Sequence, residues 1–231
     1  MGTGLVTSSK IINSPPRGGR NLPKKMSKTA YEKAATGEWV DSADLAKLVR
    51  NALKKAFRGI KFSVRSKGCG ISVRWQDGPP AEEVRWIADD YRTAGFDGSI
   101  DLAYSYSLWL YADGSASVAH SEGTVGSNGY APEIIGSSLR ADGVLCTQVS
   151  RVYISCYRDL SRAAYERGYE RAVNRYDLPP HSIEYRESGF VCQPDVWVES
   201  HRTWLSCIFL RESEKAADEQ WFAANRRLVE A

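Results

Sequence analysis

Apolar residues recur at helical spacing along the stretch that begins at Leu45. Leu45, Leu48, Val49, Ala52, Leu53 and Phe57 form one stripe, with Asp41 or Ser42 placed to cap the first turn and Gly59 to stop the last. The period then changes from helical to two. Lys61-Phe62-Ser63-Val64-Arg65 and Ile71-Ser72-Val73-Arg74-Trp75 alternate, and residues 66–70 between them supply the glycines of a short hairpin loop. With Phe62, Val64, Ile71, Val73 and Trp75 turned inward, Lys61, Ser63, Arg65, Ser72 and Arg74 share the outward face. Asp77-Gly78-Pro79-Pro80 leads into a second helix. Pro80 suits its first turn, and Glu82 and Glu83 suit its positive N-terminal end. Val84, Ile87 and Tyr91 form its buried stripe, and Gly95 is the expected C-cap.

Beyond Phe96-Asp97-Gly98 the chain reads as strand. Tyr104, Tyr106, Leu108 and Leu110 alternate with Ser105, Ser107, Trp109 and Tyr111, and Asp113-Gly114 turns the chain into a partner over residues 115–119. Residues 121–142, rich in Gly and Ser, read as a long loop. Residues 144–157 read as a strand, and a helix opened by Asp159 or Ser161 runs to about Tyr176 before Pro179-Pro180. A hairpin over about 190–209, turning near 200–203, and a helix with Trp221, Ala224 and Leu228 on one side follow. Helices and hairpins without a βαβ rhythm predict an α+β fold: a helix-hairpin-helix start, then antiparallel strands and further helices. Residues 1–38, rich in Gly, Ser, Pro and Lys, predict a basic flexible tail. The expected division is therefore 1–38, a main domain over 39–181, and a C-terminal hairpin and helix over 182–231 packed on it.

Charge changes this picture. The tail carries seven Lys/Arg against two Glu, or +5, which leaves 24 basic and 26 acidic residues, or −2, for the rest. Yet the helix-plus-hairpin stretch 50–75 holds eight cations (Arg50, Lys54, Lys55, Arg58, Lys61, Arg65, Lys67 and Arg74) and no Asp or Glu. On the helix, Lys47, Arg50, Lys54 and Arg58 lie opposite the apolar stripe, with Lys55 at its edge. A folded surface of one sign points to a polyanion, nucleic acid first. The eight residues are the expected binding set, with Ser63 and Ser72 as further phosphate donors and Trp75 and Trp86 as stacking candidates better suited to a core. The basic tail, with Lys24-Lys25 and Lys28, is equally an ordinary leader or a nonspecific arm.

The stretch AKLVRNALKKAFRGIKFSVRSKGCGISVRWQDGPPAEEVRWI, followed by FDGSIDLAYS, resembles the large polyvalent protein-associated domains of phage and plasmid proteins. The points of match are LKKAF, KFSVRS, a strand ending in W-x-DGP, and FDG-x-xD, with VYISCYRDLSRAAYERGYERAVNRY similar to the family's strand-then-helix continuation. Arg58 departs from the proline expected in the family's turn. The resemblance covers about residues 39–181. It implies an accessory protein of a mobile genetic element, helping an incoming genome against host defences, and it brings no catalytic residue with it.

Other chemistry is sparse. The five cysteines include no CxxC pair and no zinc-like spacing. Cys146, Cys156, Cys192 and Cys207 fall in apolar strand-like runs, which fits free thiols in a reducing cytoplasm. No basic segment precedes a long apolar one, and no apolar run approaches the ~20 residues of a membrane span. The expectation is therefore a protein of the bacterial host cytoplasm that binds nucleic acid or a nucleic-acid-bound defence complex, with no membrane partner, metal or cofactor. An alternative is a protein-binding inhibitor of a host defence enzyme using Tyr104, Tyr106, Trp109 and Tyr111. A further alternative is a metal-assisted nuclease or transferase built on Asp97, Asp101, His120 and Glu122. His181 and His201 are isolated, and the Gly-rich segment 123–129 lacks the GK[ST] of a phosphate-binding loop.

Overall fold

The computed structural model describes residues 28–98, 101–119, 138, 140–176, 182–186, 189–193, 197–198 and 203–225. In chain order the first elements are α1 (Ala30–Ala35), α2 (Ser42–Ala56), β1 (Ser63–Lys67), β2 (Gly70–Gln76), α3 (Ala81–Asp89), β3 (Ala94–Asp97) and β4 (Leu102–Ser105). They are followed by β5 (Ser107–Leu110), β6 (Ala116–Ala119), β7 (Val144–Cys146), β8 (Tyr153–Asp159) and α4 (Arg162–Tyr176). β9 (Ser182–Arg186), β10 (Gly189–Gln193), β11 (Trp197–Val198), β12 (Thr203–Trp204) and α5 (Leu205–Asn225) complete the series. The fold class is α+β, as the periodicities predict.

α2 begins where the sequence places it. Asp41 accepts the Asp44 amide at 2.8 Å and Asp44 reaches back to the Asp41 amide, a reciprocal cap. Leu45, Val49 and Leu53 are completely buried against the hairpin, each contributing on the order of 2 kcal/mol. β1 and β2 pair with Val64 opposite Val73 and Lys67 opposite Gly70. The loop is therefore only Gly68-Cys69, shorter than the five residues expected, with Gly68 at φ +56 leading it. Val64, Ile71, Val73 and Trp75 are buried, so the predicted register stands.

β8 completes a three-stranded sheet in the order β1-β2-β8, and it runs parallel to β2 with Ile154 beside Ile71 and Cys156 beside Val73. That parallel pair joins residues about 80 positions apart, beyond the reach of a reading built from hairpins. α2 lies over β1 and α3 over β8 on one side of the sheet, and the two helices touch. The W-x-DGP motif ties this unit together. The Trp75 indole donates to the Pro79 carbonyl at 3.0 Å, the Asp77 carboxylate accepts the Ser161 amide at 2.8 Å, and Arg158 donates to the Gly78 carbonyl at 2.7 Å while pairing with Asp218 of α5. α5 in turn sets Trp221 edge-on to Phe57, with ring centroids 6.1 Å apart.

Several expectations need correction. Order begins before Trp39: α1 carries its own capping box from Thr29 and Glu32. Gly95 does not cap α3 but lies in β3 opposite Tyr104, where a Cβ would come within 2.4 Å of that ring. The strand expected through Tyr104–Tyr111 breaks at Tyr106, whose amide donates to the Thr93 carbonyl, as the chain passes from the β3–β4 hairpin to the β6-β5-β7 sheet. Residues 144–157 also divide into two strands. Between them Val40 exchanges backbone bonds with Gln148 and Ser150, and Thr93 takes Ser150 and Val152. Residues 205–209 are helical, not strand, because Leu205, Ile208 and Phe209 continue through Glu212, Ser213 and Ala216 as one helical face against α4. Cys207 is accordingly helical and exposed. Trp221 faces the core as expected, Ala224 is exposed, and Leu228 lies outside the described residues.

Candidate nucleic-acid interface

Among the described residues, the side of the β1-β2-β8 sheet turned away from α2 and α3 faces solvent. Register fixes its rows. Ser63, Arg74 and Tyr157 lie abreast, then Arg65, Ser72 and Ser155, then Lys67, Gly70 and Tyr153. Arg65, Lys67 and Arg74 are exposed, as alternation from the buried Val64, Ile71 and Val73 requires. The parallel strand adds two aromatics that hairpin reasoning missed: Tyr153 and Tyr157 are 38% and 47% exposed. The guanidinium of Arg74 lies over the Tyr157 ring, 4.8 Å from its centroid. Asp159, at the far end of β8 beside Gln76, adds a carboxylate to this face. The signal for the tyrosines was present in the sequence as Tyr-x-Ser-x-Tyr, but only the β2–β8 pairing shows which face they join.

The eight predicted cations do not make one surface. Arg65, Lys67 and Arg74 stand on the open face, while Arg50, Lys54, Lys55 and Arg58 belong to α2 and its C-terminal end, which cover the opposite side. Lys54, Lys55 and Arg58 are exposed near the end of the helix, and Lys61 is exposed just before β1. Arg50 serves the fold itself, donating to the Val64 carbonyl at 2.6 Å and so fastening the helix to edge strand β1. Lys47 is drawn into the helix cap by Asp44, 3.1 Å away. Ser63 is exposed and Ser72 half-buried on the sheet face, where both were expected.

Of the two stacking candidates, both expected in the core, one is there and one is not. Trp75 is core, but Trp86, for which a core place was expected, is 83% exposed on α3. In the aromatic strand, Tyr111 is buried beneath Arg140, whose guanidinium is 4.5 Å from its ring centroid, and Tyr104 meets Tyr106 edge-on at 5.1 Å. These rings are thus partly engaged within the fold. Of the residues named for metal-assisted chemistry, the Asp97 side chain, His120 and Glu122 lie outside the described residues, as do His181 and His201. Asp101 is exposed, with φ +51. Asp113 is a turn former: its carboxylate accepts the Ser115 hydroxyl at 2.6 Å and amide at 3.0 Å, and Arg140 approaches to 3.0 Å. The Ser115 bonds foremost, then Arg140, hold this carboxyl far below the usual range. Among the described residues no group of three or more His, Cys, Asp or Glu is placed to hold a metal ion.

Fold and face together define an α+β protein with a solvent-facing, cationic and aromatic sheet. Residues 40–129 match the family model of large polyvalent protein associated domain 29, the family that the LKKAF, W-x-DGP and FDG motifs resemble, and this connects the chain with phage- and plasmid-associated polyvalent proteins. The match includes β1 and β2 but ends before β8 and α4. No curated protein and no solved structure matches the chain. Among the described residues no helix is long and apolar enough to cross a membrane.

Proposed function

We propose that the protein is a non-enzymatic accessory of a mobile genetic element that binds nucleic acid, or a nucleic-acid-bound defence complex, in the host cytoplasm. The observation that carries this reading is the outward presentation of Arg65, Lys67 and Arg74 by a well-registered hairpin whose other side is core. Cations fixed on a rigid sheet lose little freedom on meeting phosphates, whereas a loose lysine-rich tail must be ordered first. The group Lys54, Lys55 and Arg58, with Lys61, widens the positive field around the edge of the same unit and steers a polyanion toward it. The resemblance to domains that travel with mobile elements supports help against host defences as the purpose of that binding. Protection would come from occupying nucleic acid or the complex bound to it, with no cofactor involved.

The test is the triple variant R65E/K67E/R74E, compared with K54E/K55E/R58E, in binding to labelled oligonucleotides at fixed salt. All six side chains are exposed, so circular dichroism should stay unchanged. Loss of binding in the sheet variant supports the proposal; binding equal to that of the unaltered protein contradicts it. A host protein retained by the sheet variant after nuclease treatment would move the reading to a protein target.

A further inference from the structure

Resting on that reading, we infer that the nucleic acid taken by the open sheet is single-stranded, and that Tyr153 and Tyr157 are its base-stacking stations. Both tyrosines stand on β8, on the same face as Arg65 and Arg74. Four residues of strand separate them by about 13 Å. Bases in a duplex stack ~3.4 Å apart and hide their faces from such rings. A single strand drawn across the sheet exposes those faces, and aromatic rings spaced well apart engage separate bases along it.

The surroundings complete the chemistry. Arg74 covers Tyr157 at 4.8 Å, and a guanidinium plane stacks on a base as readily as on a ring while keeping its charge for phosphate. Arg65 lies one strand from Ser72 and two from Ser155, so the middle row offers charge and hydroxyls between the two rings. Lys67, abreast of Tyr153 across the side-chain-free Gly70, supplies the same charge at the other station. Gly70 leaves the ground beside Tyr153 clear. The Tyr153 hydroxyl makes a long 3.4 Å bond to the Gly95 carbonyl, which steadies one edge of the ring and leaves a face available. The charge of this face fits a phosphate backbone, and its exposed apolar surface is aromatic.

The experiment measures fluorescence anisotropy of the full chain with oligo-dT, oligo-U and a duplex of equal length at one salt concentration. The unaltered protein should prefer the single strands by at least tenfold. Y153L and Y157L should each weaken single-strand binding roughly five- to hundredfold and leave duplex binding unchanged, while Y153F and Y157F retain it. R74K should keep most of the salt dependence and lose part of the affinity. Similar affinity for dT and U points to stacking alone, and a preference for U to added 2′-hydroxyl contacts; both support a single-strand site. Duplex preference, or tyrosine variants without effect where R65E/K67E/R74E abolishes binding, overturns the single-strand inference and leaves the nucleic-acid reading intact. No binding to any of the three probes overturns both.

Discussion

Replacing Thr93 with valine should cost more than any surface change on this protein, because one hydroxyl fastens the segment that leads into β8. Thr93 is fully buried. Its Oγ1 donates to the Ser150 carbonyl at 2.6 Å and accepts the Val152 amide at 2.7 Å. Valine keeps the shape and leaves both backbone groups without that partner. A buried group so orphaned costs about 1–3 kcal/mol. Val152 is fully buried and Ser150 only half-buried, so the sum is about 3 kcal/mol. For a chain of this size that corresponds to a fall of roughly 6–12 °C in Tm. T93S keeps both bonds, loses one methyl group and should cost only about 1 kcal/mol. Urea unfolding of the two variants reads the difference, and hydrogen exchange should show the Val152 amide losing protection in T93V alone. If T93V unfolds within about 0.5 kcal/mol of the unaltered protein, the spread of neutral substitutions, then Thr93 does not clamp this segment. Since Tyr153 follows Val152 directly, T93V should also weaken whatever the sheet face binds.

Three other outcomes follow from the packing. A Cβ at Gly168 would sit 2.1 Å from the Ser213 hydroxyl and 2.4 Å from its Cα, so G168A should destabilise by at least about 1–3 kcal/mol; an unchanged melting temperature would deny the close α4–α5 contact. Burial alone would raise the Glu212 carboxyl, but Lys215 at 2.9 Å, then Arg175 and Arg171, outweigh it and lower it below the ordinary 4.5. The stability Glu212 contributes is therefore complete above about pH 5 and lost as the pH falls through the lowered value, so E212Q should flatten the pH dependence of the urea midpoint on the acid side, and an unaltered slope would refute it. Burial pushes the Cys146 and Cys156 thiols up to about 11, so at about pH 8 a disulfide reagent should label the exposed Cys69 and Cys207 before either of them; early labelling of Cys146 would contradict its burial.

How much of this was legible depended on distance along the chain. α2, the β1–β2 register and α3 follow from periodicity and capping residues because each is decided within about 15 residues, where local preference and packing agree. The outward placement of Arg65 and Arg74 came with that register. The parallel β2–β8 pair did not, and with it Tyr153 and Tyr157 stayed off the site. Nothing local distinguishes an edge strand of the hairpin from one that receives a third strand. The divided strands at Tyr106 and at residues 147–152 were hidden for a related reason. The second break is made by Val40 and Thr93, far away in sequence, and the first by Thr93 from across the β3–β4 hairpin, a backbone contact that no side-chain period records. α5 was missed over its first turn because Leu205, Cys207 and Phe209 also fit a period of two, and only continuation to Glu212 and Ala216 settles the helical face. Arg50 was legible as a cation but not as a donor to Val64, since helix-to-strand contacts lie outside any wheel.

If cations held on the open β1-β2-β8 face grip a phosphate backbone, binding must weaken steeply as salt rises. Each phosphate contact contributes about 0.7–0.9 to the slope of log affinity against log salt. Titrating single-stranded oligonucleotide binding from low to physiological salt should give a steep negative slope for the unaltered protein. In R65Q/K67Q/R74Q, which removes three charges without reversing them, the slope should flatten by about 2–3. A slope unchanged in that variant, or binding that does not respond to salt at all, would mean that Arg65, Lys67 and Arg74 do not hold phosphates.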